Sequence, residues 1–174
     1  MRCPPGSNAT HTRCLPDEQN PRNADVNIDG VQGLAFSPRE LVPEERVSVP
    51  TYARTVGATD ATYSRTETAR SRGYAARPLP LAMLTFFNTI DESDVQDVLG
   101  IVYGKTLYTG TEFEWGTVAT EVEPLVGQTR VADAYECVGR DGTKRQFLVL
   151  LTEFHTKEGE LVSRQRITFI EKAA

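Results

Sequence analysis

The 174-residue chain contains only three cysteines and two histidines. Cys3, Cys14 and Cys137 form no C-x-x-C pair and no cluster with His11 or His155, so the sequence gives no zinc-type ligand set, and no metal is expected. Their odd number and irregular spacing fit a reducing compartment, where a Cys3–Cys14 bridge would need an oxidant. Cys137 reads as a small buried hydrophobe. The N-terminus lacks the apolar run of about 7–15 residues that a secretory signal requires, which leaves Asn8-Ala9-Thr10 a chance glycosylation sequon. No apolar run approaches the roughly 18 residues of a bilayer span. Positive charge is in deficit, with 19 Lys and Arg against 24 Asp and Glu and a net charge of -5. That balance argues against nucleic acid or an anionic membrane as the main partner. The expectation is a soluble cytoplasmic protein.

What is present is ordinary for a globular domain: 39% hydrophobic and 25% charged residues, in a length that suits one domain. Residues 1–34 differ. Pro4, Pro5, Gly6, Pro16, Pro21, Gly30 and Gly33 punctuate a polar stretch with few large apolar side chains, which reads as an extended arm or a disordered tail ahead of a domain over 35–174. Ser48 followed by Val49-Pro50 reads as a helix cap, with Val49, Tyr52, Ala53 and Val56 on one face and Gly57 past the end. A second short helix fits Thr66 to Arg72, stopped at Gly73. Leu81-Ala82-Met83-Leu84-Thr85-Phe86-Phe87 is apolar nearly all round and predicts a buried central helix. Asp91 or Ser93 then caps a polar-faced helix through Val98, stopped by Gly100.

The remaining residues read as strands. Leu107, Thr109, Thr111, Phe113 and Trp115 alternate with Tyr108, Gly110, Glu112 and Glu114. Pro124 to Gly127 predicts a turn. Residues 129–138 and 145–156 form a hairpin through Gly139-Arg140-Asp141-Gly142, and Lys157 to Glu160 turns the chain into a last strand over 161–170. Short helices followed by an antiparallel meander indicate an α+β class, with one sheet wrapped around a central apolar helix.

The order of these elements is that of a hot-dog fold, and residues 47–172 resemble the MaoC-like dehydratases, the R-specific enoyl-thioester hydratase family, and above all their N-terminal, non-catalytic halves. The resemblance lies in Tyr52-Ala53-Arg54-Thr55-Val56-Gly57, Ala58 to Tyr63, Ala69 to Pro80, Gly110 to Trp115, and Pro124 to Thr129. It implies reversible addition of water across a 2-enoyl thioester carried on coenzyme A or an acyl carrier protein, with no cofactor. An active half of the family carries an Asp and a His in a D-x-N-x-x-H pattern, one accepting and one supplying a proton. Aligned on Gly57, those positions hold Ala58 and Tyr63, and neither His11 nor His155 follows an Asp at that spacing. The family's helix-start glycine, whose N–H meets the thioester oxygen, is replaced by Arg77-Pro78-Leu79-Pro80, where each proline deletes a donor.

The resemblance therefore implies a subunit of an enoyl-thioester hydratase or 3-hydroxyacyl-thioester dehydratase with little activity alone. Its partner would be a second hot-dog subunit holding the Asp/His pair, with a homodimer as the alternative. Two other readings stand beside it: a stand-alone tailoring dehydratase or cyclase with a non-standard site, and a binding module without chemistry. Asp60 is either a displaced acid/base or a turn residue. Tyr63 is a substrate contact or a packing tyrosine. Glu112 and Glu114 share a strand face opposite Phe113 and Trp115, which favours an exposed rim, and Tyr108 is placed with them at the edge of a cleft. Arg72 and Arg77 are candidates for phosphate contacts, and His155 reads as a surface residue.

Overall fold

The computed structural model describes residues 28–101, 104 and 106–171. The readings made on Cys3, Asn8, His11 and Cys14 lie outside the described residues. The sheet is assembled from five antiparallel strands: β1 (Arg39–Leu41), β2 (Thr106–Trp115), β3 (Leu125–Val138), β4 (Lys144–Thr156) and β5 (Leu161–Glu171). Their spatial order is β1-β3-β4-β5-β2, so consecutive hairpins build the centre and β2 closes one edge. Among the described residues the outer edge of β2 has no partner strand.

Local chemistry explains the two helices. Helix α1 (Val49–Thr55) begins where the Ser48 hydroxyl accepts from the Thr51 N–H, and Pro50 fills a first-turn position that needs no N–H donor. It ends at Gly57, whose φ of 72° is the left-handed conformation expected of a C′ glycine. Val49 and Ala53 are buried as predicted, whereas Val56 is exposed. Helix α2 (Thr66–Ser71) stops before Gly73.

Residues 81–87 are helical where expected, but as a six-residue 3-10 helix over Leu81–Phe86, not as one long central helix. The apolar run is short, and Phe87 already has extended backbone. Met83 and Leu84 are fully buried while Phe86 faces solvent. A second helical segment follows over 92–98; its Ser93 makes no capping bond, and Asp91 instead pairs with Arg39. The turn expected at Pro124 to Gly127 is absent, because Leu125, Val126 and Gly127 pair with β1.

One face of the sheet carries two apolar clusters. The first joins Val49, Leu79, Met83, Leu84 and Phe87 to Leu125, Phe154 and Val162. The second joins Val31, Leu99 and Ile101 to Val131, Leu148 and Leu150. Val31 is 4% exposed, and the Gly33 and Phe36 N–H groups bond to the Val131 and Thr129 carbonyls. Residues 31–36 are therefore packed along β3. Cys137 is half-buried, not fully buried.

Candidate functional site

A cavity of about 640 Å³ lies between α1, the loop that follows it and the start of the 3-10 helix. Its size falls within the ~300–1,000 Å³ typical of small-molecule sites. Ala58, Asp60, Tyr63 and Arg72 line it, opposite Pro78 and Val118. The structure thus brings Ala58 and Tyr63, the two positions where proton-transfer groups were sought, to one cavity wall. Tyr52 and Tyr74 line it as well, and sequence periodicity did not single out Tyr74.

Asp60 is the one carboxylate of this wall among the named candidates, and its bonds define what it can do. One oxygen accepts from the Thr62 N–H at 2.9 Å and from the Thr62 hydroxyl at 2.7 Å, which makes Asp60 the cap of a 3-10 turn over Ala61–Tyr63. The other oxygen meets the Arg72 guanidinium at 2.7 Å. The Thr62 backbone and hydroxyl donors, followed by Arg72, hold its carboxyl down to about 2. A base so weak takes little from water at neutral pH. Arg72 is neutralised in the same contact.

The sign of the pH effect follows. A carboxyl held below its unfolded value stabilises the fold above pH about 3.8, and the contribution disappears as pH falls toward about 2. Asp60→Asn is expected to lose stability near neutrality and to converge with the parent protein near pH 2, as thermal unfolding across that range would show. Parallel curves for the two proteins from pH 5 to 2 would contradict this assignment.

Arg77 is engaged with side chains of the fold. Its Nε lies 2.9 Å from the carboxylate of buried Glu121, and a second nitrogen donates to the Thr66 hydroxyl at 3.0 Å. The backbone from Pro78 to Pro80 offers no free donor. The prolines have no N–H, and the Leu79 N–H bonds to the Ala119 carbonyl at 2.9 Å.

The β2 candidates divide between two faces. Glu112 pairs with Arg166 and Glu114 with Arg164 in register, on the face opposite Phe113 and Trp115, as alternation predicts. Arg164 bonds to both Glu114 (2.5 Å) and Glu153 (2.6 Å), so Glu114 belongs to a surface ion-pair network; Glu112 lines a shallow groove beside it. Tyr108 does not share that face. A bulge at Thr109 shifts the register, so Tyr108 pairs with Phe169, meeting it edge-on at 6.0 Å, on the face that carries Phe113 and Trp115. Tyr108 is exposed, and Phe113 stacks on Trp115 at 4.7 Å. His155 is half-buried near the end of β4. Among the described residues no group of His, Cys, Asp and Glu could hold a metal ion, and no helix is long and apolar enough to cross a membrane.

A second cavity, of about 260 Å³, lies between the sheet and the segment from Thr85 to Ile101. Its floor holds Thr129, Thr152 and Gln165, which sequence reading passed over. The signal was there for Thr129, which occupies an inward position on β3 between Leu125 and Val131.

Comparison with known proteins bears on the fold and the family. A family model described as FAS1-like, dehydratase domain region, matches residues 33–165. No curated protein matches the chain. Among solved structures it is similar to a C-terminally truncated HadBC (3R-hydroxyacyl-ACP dehydratase) complex from Mycobacterium tuberculosis. That match has a TM-score of 0.61 and 17% identity, over 83% of this chain and 99% of the other. The ChsH1-ChsH2 complex of the same organism matches at 0.59 and 14%, over 80% and 84%. A MaoC-like dehydratase matches at 0.64 and 20%, where 85% of this chain covers 44% of that one. The five-stranded antiparallel sheet is a hot-dog fold of the α+β class.

Proposed function

The chain belongs to the FAS1-like dehydratase-region family, and from that premise we propose that it is the acyl-binding, non-catalytic half of an acyl-thioester hydratase or dehydratase. One observation carries the reading. At the wall where an active half would move protons stand an alanine, Ala58, a tyrosine, Tyr63, and a carboxylate, Asp60, whose bonds to Thr62 and Arg72 hold it ionised. Nothing there supplies both an acceptor for the water proton and a donor to carbon. The missing pair comes from a second hot-dog subunit. The edge strand β2 is the docking strand: among the described residues its outer edge has no partner strand, and it exposes Leu107, Tyr108 and Trp115. Similarity to the HadBC and ChsH1-ChsH2 complexes supports such a pairing. The acyl group sits against the sheet in the smaller cavity.

The purified chain is expected to hydrate crotonyl-CoA no faster than buffer. Activity should appear when it is combined with a hot-dog subunit that carries the Asp/His pair, and should vanish when that subunit's His is replaced. Turnover by the pure chain, unchanged in Asp60→Asn and Tyr63→Phe, would overturn the proposal.

A further inference from the structure

The smaller cavity is lined by Phe87, Ile90, Ile101, Leu150, Ile167 and Phe169, with Thr85, Asn88 and Glu92 among them, and its floor is polar. The Thr89 hydroxyl bonds to that of Thr129, which bonds to that of Thr152 at 2.6 Å. This ladder runs across the sheet between the two apolar clusters. Thr129 lies between inward Leu125 and Val131 on β3, and Thr152 between inward Leu150 and Phe154 on β4. Gln165 is the cross-strand neighbour of Thr152 on β5. It is 2% exposed, lines the cavity, and its Nε2 has no hydrogen-bond partner.

Donor bookkeeping shows what the floor asks for. Three hydroxyls bring three protons, and the two bonds between them consume two, so one proton is surplus in the ladder. The Gln165 amide adds its N–H donors. A buried donor left unmade is costly, and native proteins rarely leave one without a partner. An unbranched saturated acyl chain satisfies none of them. A carbonyl or hydroxyl oxygen on the chain satisfies the amide, while its methylenes fill the apolar walls.

We propose that this cavity selects an acyl group carrying a keto or hydroxyl oxygen part-way along the chain, and that Gln165 donates to that oxygen. The inference rests on the acyl-binding function proposed above. The polar floor lies on the central strands β3, β4 and β5, and the oxygen it is proposed to read belongs to the acyl chain itself. At about 260 Å³ the cavity suits one chain of moderate length.

The test is calorimetric titration of the full chain with octanoyl-N-acetylcysteamine thioester and its 5-oxo, 6-oxo and 7-oxo analogues. One oxo isomer is expected to bind about tenfold tighter than octanoyl, the gain of one buried hydrogen bond. Gln165→Leu should abolish that preference, so that no oxo analogue binds tighter than octanoyl, and raise the melting temperature by removing an unpartnered amide. Gln165→Met serves as a second apolar replacement if the leucine disturbs packing. Octanoyl binding with no oxo preference, or a preference untouched in Gln165→Leu, overturns the inference and leaves the acyl-binding function standing. A Gln165 amide satisfied only by ordered water gives that same result, with a lowered melting temperature in Gln165→Leu. Failure of every thioester to bind overturns the acyl-binding function and this inference together.

Discussion

Gly116→Ala is expected to cost about 3 kcal/mol of stability or more, a large fraction of the roughly 5–15 kcal/mol that holds a domain folded. A methyl group added at Gly116 would stand 1.8 Å from the Leu161 carbonyl oxygen and 2.7 Å from its carbon. Both are backbone atoms, so no rotamer change relieves the clash. The close approach has a structural reason: just beyond β2, the Gly116 N–H bonds to the Val162 carbonyl at 3.0 Å and the Thr117 N–H to the Leu161 carbonyl at 2.7 Å. Making room for the methyl separates those groups and forfeits bonds worth about 0.5–1.5 kcal/mol each, on top of the overpacking term. The damage falls where Trp115 pairs with Ser163, at the end of the strand proposed to dock a second subunit. Urea unfolding followed by tryptophan fluorescence measures it, since Trp115 is the only tryptophan in the chain. A loss below about 1 kcal/mol would show that β2 and β5 can separate at that point without consequence. The variant should also pair less well with an Asp/His-bearing subunit.

The parts of this fold legible in the sequence are those with local causes. Helix α1 is fixed by Ser48, Pro50 and Gly57, all within ten residues of one another, and the two β3–β4–β5 turns by their glycines. The illegible parts have causes distant in sequence. Alternation from Leu107 to Trp115 runs unbroken on paper, and only pairing with β5 reveals the bulge at Thr109 that turns Tyr108 away from Glu112. Pro124 to Gly127 carries turn residues, yet Gly127 serves the sheet: a side chain there would stand 2.6 Å from Thr89 and 2.8 Å from Phe154. The candidate site divides the same way. The lack of a proton-transfer pair at Ala58 and Tyr63 is a matter of composition and can be read directly. Asp60 caps its turn through neighbouring Thr62, a local cause, whereas its contact with Arg72 and that of Arg77 with Glu121 could not be read from neighbouring residues.

That last pair is also the basis of an expected loss of about 3–5 kcal/mol in Arg77→Met. The Glu121 side chain is 5% exposed and that of Arg77 25%, so the carboxylate depends on the guanidinium far more than the reverse. Removing the cation leaves a charge in a dry site, whereas removing the carboxylate leaves an arginine that still reaches water. Glu121→Gln should therefore cost less than Arg77→Met, and Arg77→Met combined with Glu121→Leu should recover much of the loss, because paired apolar replacements need no compensation. The position of the pair makes this more than a stability result. Main-chain bonds from Glu121 to Arg77 and from Leu79 to Ala119 bind two segments that also present Pro78, Leu79 and Val118 to the larger cavity. If Arg77 instead bound the phosphates of coenzyme A, Arg77→Met would weaken the thioester in proportion to ionic strength while sparing the unfolding free energy. Urea unfolding of the four proteins, read beside crotonyl-CoA affinity at two salt concentrations, separates the roles, and the buried geometry of Glu121 requires the deficit to lie in the unfolding curves.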